Sequence, residues 1–99
     1  MSADERLDDD TLARLTEAAL RQAGGGRRWR NAFARAAEMI RGGAVMHWTG
    51  VSLLVLSESG RVYEAGVACQ CEAFRRGRPC RHRAAYRIVR LYHTARTPP

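Results

Sequence analysis

The stretch CQCEAFRRGRPCRH, residues 69–82, sets two pairs of metal-capable side chains, Cys69/Cys71 and Cys80/His82, on either side of an arginine-rich loop. How these four residues are used decides what the C-terminal half of the chain can become. Three cysteines cannot all pair as disulfides, and nothing at the acidic N-terminus MSADERLDDD resembles a secretory signal. A cytoplasmic, reducing setting is therefore expected, in which disulfides are rare. A lone C-x-C could be a redox pair. Two ligand pairs at matched spacing fit a metal better, and three thiolates with one imidazole match a tetrahedral structural zinc site. With all four positions filled by protein, no place is left for an activated water, so such a site stabilises rather than catalyses.

Working outward on the N-terminal side, residues 44–49 (AVMHWT), 51–57 (VSLLVLS) and 61–68 (RVYEAGVA) are short and rich in β-branched and aromatic residues. They read as three strands of a small antiparallel sheet, with SESG at 57–60 as a hairpin connection. Cys69 and Cys71 are then expected at the end of the third strand, their thiols on one face. On the C-terminal side, residues 81–95 are helical through Ala85, Ile88, Val89 and Tyr92. Before the sheet come two more helices. Residues 10–23 carry an apolar stripe of Leu12, Leu15 and Ala19, with Asp8 or Asp10 available as a cap. Residues 28–41 carry Trp29, Phe33, Ala36, Ala37 and Ile40, and glycines 24–26 and 42–43 end the two helices. The expected fold class is α+β: two N-terminal helices over 1–43, then a domain over 44–99 in which a three-stranded sheet passes through a knuckle into a C-terminal helix.

The pattern C-x-C-x8-C-x-H, preceded by RVYEAGVA and followed by RAAYRIVRLY, resembles the SWIM zinc finger, a ββα unit with the pattern C-x-C-xn-C-x-H. Phe74 after the second cysteine and the PCRH at 79–82 add to the likeness, which spans roughly residues 52–96 and leaves residues 1–43 outside it. The resemblance implies that Cys69, Cys71, Cys80 and His82 hold one structural zinc. It also implies a partner that is DNA or protein, since members include transposases, chromatin-remodelling ATPases and recombination-associated proteins.

Ninety-nine residues make one small domain, near the lower end of what a core can stabilise without a staple. The longest apolar run, residues 51–56, is too short for a bilayer. All seventeen basic residues are arginine and the formal net charge is +7. The charge is uneven, with −4 on residues 1–20 and +11 on the remainder. A body this basic points to a polyanion, nucleic acid first and DNA in particular. Charge compensation at a zinc–thiolate site uses one or two arginines, whereas Arg75, Arg76, Arg78, Arg81, Arg83, Arg87 and Arg90 all surround it. Arg83, Arg87 and Arg90 recur at i, i+4, i+7 and are expected to project away from the core as a phosphate-contacting face. Arg27, Arg28, Arg30, Arg35 and Arg41 form a second candidate patch. Trp29 and Trp48 serve as core residues or as stacking platforms for unpaired bases. His47 reads as a packed or surface residue and His93 as solvent-facing.

No paired carboxylates, phosphate-cradling glycine loop or nucleophile–base arrangement stands out, so a non-enzymatic protein is expected. The rival to nucleic-acid binding is a protein–protein adaptor docking on a replication, recombination or transposition complex. In that reading the first helix carries the binding, and the same helix offers a route to a homo-oligomer.

Overall fold

A computed structural model describes residues 7–57 and 59–96. The first helix, α1, spans Asp9–Gln22, one residue earlier at each end than the periodicity indicates. Asp8 sets its start: the carboxylate Oδ1 accepts the Thr11 N–H at 2.6 Å, satisfying one of the amides that a helix N-terminus leaves bare. That hydrogen bond holds the Asp8 carboxyl below the usual aspartate range. Gly24 and Gly25 end α1 with φ of 97° and 70°, a conformation that side chains resist, and the Gly25 N–H closes onto the Leu20 carbonyl. Helix α2 follows at Arg27–Arg41 and buries Ala32, Phe33, Ala36 and Ala37.

Three short strands form an antiparallel meander in the order β1-β2-β3: Met46–Trp48, Leu53–Leu56 and Val62–Ala65. Met46 pairs with Val55 and Val55 with Tyr63, while Trp48 pairs with Leu53 and Leu53 with Ala65. These two rows face the helices, and strand alternation sends His47, Leu54 and Glu64 to the outer face. The first turn is tied by Thr49, whose hydroxyl accepts the N–H of Ser52 at 3.0 Å. A one-turn helix α3, Glu72–Arg75, and the long helix α4, Arg81–Arg96, complete the chain.

Helix α4 is the spine. Its Ala84, Ala85, Ile88 and Val89 are fully buried and share one cluster with Leu12 and Ala19 of α1, Phe33 and Ala36 of α2, and Leu53 and Val55 of β2. Alanine on both α2 and α4 lets their backbones approach closely, since interaxial distance follows side-chain size. Described residues on both sides of Gly43 thus contribute to the same core. No described helix is long and apolar enough to cross a membrane.

Two readings of the sequence change here. The strands are shorter than expected, and the third stops at Ala65 because the Gly66 N–H folds back onto the Ala68 carbonyl at 2.9 Å. Cys69 and Cys71 therefore stand in a loop beyond β3, not on its end. His93 does not face solvent: α4 passes beneath the sheet, and the His93 ring stacks on Trp48 with centroids 5.4 Å apart and planes 9° from parallel.

Candidate metal centre

The loop carrying the first cysteine pair is held to the sheet edge by Gln70, whose side-chain carbonyl accepts the Glu64 N–H at 3.1 Å. Cys71 then takes extended backbone angles as the N-cap of α3, and its carbonyl receives the Arg75 N–H. Helix α3 was expected as plain loop. Its sequence signal is the Glu72/Arg76 pair at i, i+4, which closes as a salt bridge of 3.0 Å across the turn. Gly77, at φ 74°, reverses the chain. Residues 78–80 then lead into α4, where the Ala84 N–H bonds the Cys80 carbonyl. His82 sits in the first turn of α4, its ring 5.0 Å from that of Tyr63 on β3.

This path brings Cys69, Cys71, Cys80 and His82 together. One donor atom from each lies within 4.8 Å of the others. Cys69 Sγ is 3.8 Å from His82 Nδ1, close to the edge of about 3.5–3.8 Å that metal–sulfur and metal–nitrogen bonds impose on a tetrahedral site. All four are buried, at 3%, 7%, 2% and 6% relative exposure in chain order. The His82 Nε2 is also buried and has no hydrogen-bond partner among the described residues. Three buried thiols gathered with an imidazole, with Nδ1 already 3.8 Å from Cys69 Sγ, make a soft donor set that fits a bound cation. The four residues form a group that can hold a metal ion.

The local electrostatics favour thiolate at Cys80. Without a metal, the Cys80 thiol is lowered to about 4, first by the hydrogen bond from the Cys69 thiol and further by His82 and the Arg83 backbone N–H. The Arg83 amide lies 3.4 Å from Cys80 Sγ, at the positive end of α4. Cys69 moves the opposite way, pushed up by donating to Cys80 and by burial. The opposite shifts of the two thiols reflect one hydrogen bond between them, Cys69 donating to Cys80.

No family model matches the chain, and no curated protein or solved structure matches it either. The assignment of the centre therefore rests on its geometry and donor set.

The arginines around it fall into two groups. Arg75, Arg76, Arg78, Arg81 and Arg90 are exposed, and Arg76 is occupied by Glu72. Arg83 and Arg87 are half-buried rather than projecting from the core. The Arg83 guanidinium lies 5.4 Å from the Trp29 ring and 5.2 Å from that of Phe74, and Arg87 lies 4.8 Å from Trp29. Arg90 rests 5.3 Å from the Tyr86 ring. Packing against Trp29 desolvates Arg87, and this together with the nearby Arg83 and Arg90 charges lowers its pKa. Trp29 is thus a seat for guanidinium groups and also packs against Phe33, the rings tilted by 34° with centroids 5.6 Å apart; the Phe33 ring belongs to the core. The i, i+4, i+7 spacing placed these arginines on one face of the helix. It could not show that α2 would present an aromatic ring to that face.

Proposed function

We propose that the chain is a small SWIM-type zinc module that contacts nucleic acid, DNA first, and performs no catalysis. The observation that carries the reading is a buried, four-donor Cys3His group with exposed Arg75, Arg78 and Arg81 beside it. Bound zinc would supply a structural crosslink between the loop after β3 and the start of α4. Cys69, Cys71, Cys80 and His82 would hold it, and the α4 amides and neighbouring guanidinium groups would offset the thiolate charge. The arginines that keep water-facing positions would meet phosphate oxygens, giving binding that is strong at low salt and weak in sequence preference.

A protein partner is the second reading. Three aliphatic side chains meet on the outer face of the sheet, with Leu56 42%, Val45 65% and Val62 62% exposed. Leu56 pairs with Val62, and its N–H bonds the Val45 carbonyl, so they form a continuous cross-strand row. One experiment separates the two readings: titration of zinc-loaded protein with single-stranded DNA, duplex DNA and RNA at two salt concentrations. Nucleic-acid binding falls steeply as salt rises, and absence of binding to all three leaves the protein-partner reading in the lead.

A further inference from the structure

Beside the metal centre a cleft of about 400 Å³ opens between α2, the β2–β3 turn, α3 and the start of α4. Cys71, Cys80 and His82 form one wall. The groups that converge on it from elsewhere are Arg35 of α2, Arg81 of α4, the hydroxyl residues Ser57, Ser59 and Tyr63, and Glu72. Arg35 and Arg81 belong to different helices, and no ion pair joins either of them to another described residue. Glu72, the one described carboxylate in the lining, is already engaged by Arg76 through two contacts of 3.0 and 3.1 Å.

We infer that this cleft seats a phosphate group of the bound nucleic acid, gripped between the Arg35 and Arg81 guanidinium groups with hydroxyl donors at the rim. The inference rests on the nucleic-acid reading and names the point at which the strand is held. Two guanidinium forks approaching from separate elements suit an anion with several exposed oxygens, and arginine offers phosphate two parallel N–H donors. Ser57 and Ser59 are already paired to each other at 2.9 Å, so their hydroxyls stand side by side, able to donate to a third acceptor after rearrangement. A three-thiolate zinc centre is formally negative by about one charge, and that charge opposes an anion nearby. With Glu72 offset by Arg76, the two free guanidinium groups outweigh it and the cleft stays net positive. A phosphate so placed would tie the strand to the same helix start that carries Cys80 and His82, so that metal and strand brace one another.

The test is fluorescence anisotropy of a labelled DNA duplex with the zinc-loaded full chain over a series of salt concentrations. The variants are Arg35→Ala/Arg81→Ala, Arg35→Glu alone and, as control, Arg21→Ala on the exposed end of α1. Each lost phosphate contact takes about 0.9 from the log–log salt slope, so the double variant, which gives up the one phosphate the two arginines share, loses about 0.9. Arg35→Glu weakens binding on its own while zinc content stays at the parent value, which keeps the test valid if Arg81→Ala disturbs the neighbouring ligands. Arg21→Ala binds like the parent. Parent-like affinity and slope in both cleft variants overturn the inference and leave the nucleic-acid reading standing. A parent chain that binds no duplex, single-stranded DNA or RNA at low salt overturns both.

Discussion

His82 and Arg83 are adjacent in the chain and serve different partners. The imidazole turns into the thiol cluster, while the guanidinium crosses to Trp29 and Phe74 and its backbone amide points at Cys80 Sγ. Removing a ligand and removing the guanidinium should therefore give separable results. Cys71→Ser is expected to abolish stoichiometric zinc, read by elemental analysis of protein purified without chelators. Because metal binding requires deprotonated thiols and a neutral imidazole, zinc affinity should also fall as pH is lowered, which a competition titration with a chromophoric chelator follows. Arg83→Ala should keep its zinc but lose about 1 kcal/mol of stability by chemical denaturation, the scale of a partly desolvated cation–π contact. Its Trp29 emission should shift to longer wavelength as the ring gains water. A variant that loses zinc along with stability would make Arg83 part of the centre's support instead.

At the scale of elements, α1 plays two parts that its sequence shows only as one amphipathic stripe. Leu12 and Ala19 are buried within the same chain, and Leu15 and Leu20 pack at the edge of the core. The stripe is thus already covered by α2 and α4. Leu12→Ala should cost about 2–5 kcal/mol, as for other fully buried leucines, measured by urea denaturation of the zinc-loaded protein. The acidic face of the helix is a separate matter. Asp9, Asp10 and Glu17 are exposed, and Asp9 reaches Arg41 of α2 at 3.6 Å. Neutralising them as Asp9→Asn, Asp10→Asn and Glu17→Gln leaves the core intact and removes a repulsion toward a polyanion. DNA affinity should rise, most at low ionic strength where the Debye length is longest. Unchanged affinity would assign the acidic face to solvation alone.

For the whole molecule, the metal centre is not an appendage: all four of its ligands come within fourteen residues of each other, and the helix that carries His82 is the spine of the core. Structural zinc contributes on the order of 10 kcal/mol or more to the folding of small modules. Chelation should consequently lower the thermal midpoint of the entire chain, not only of residues beyond β3, with loss of helical circular dichroism in the same transition. Two separated transitions would show that α1 and α2 fold without the centre.

Much of this was legible beforehand, for reasons tied to distance along the chain. Helix periods, the glycine stops, the Asp8 cap and the spacing of the ligand pairs are local properties, and the three helices, the three strands and the Cys3His group all follow from residues near one another. Strand ends were less legible because the Gly66 turn that terminates β3 depends on a single backbone hydrogen bond. What only the tertiary structure decided is where long side chains finish. An arginine reaches far enough from its backbone to choose among partners on other elements, so its spacing along α4 did not tell whether it meets solvent, Trp29 or a cleft. The stacking of His93 on Trp48 and the convergence of Arg35 with Arg81 likewise depend on how α2, α4 and the sheet cross, a packing choice set by the alanine faces of the helices and the inward row of the strands.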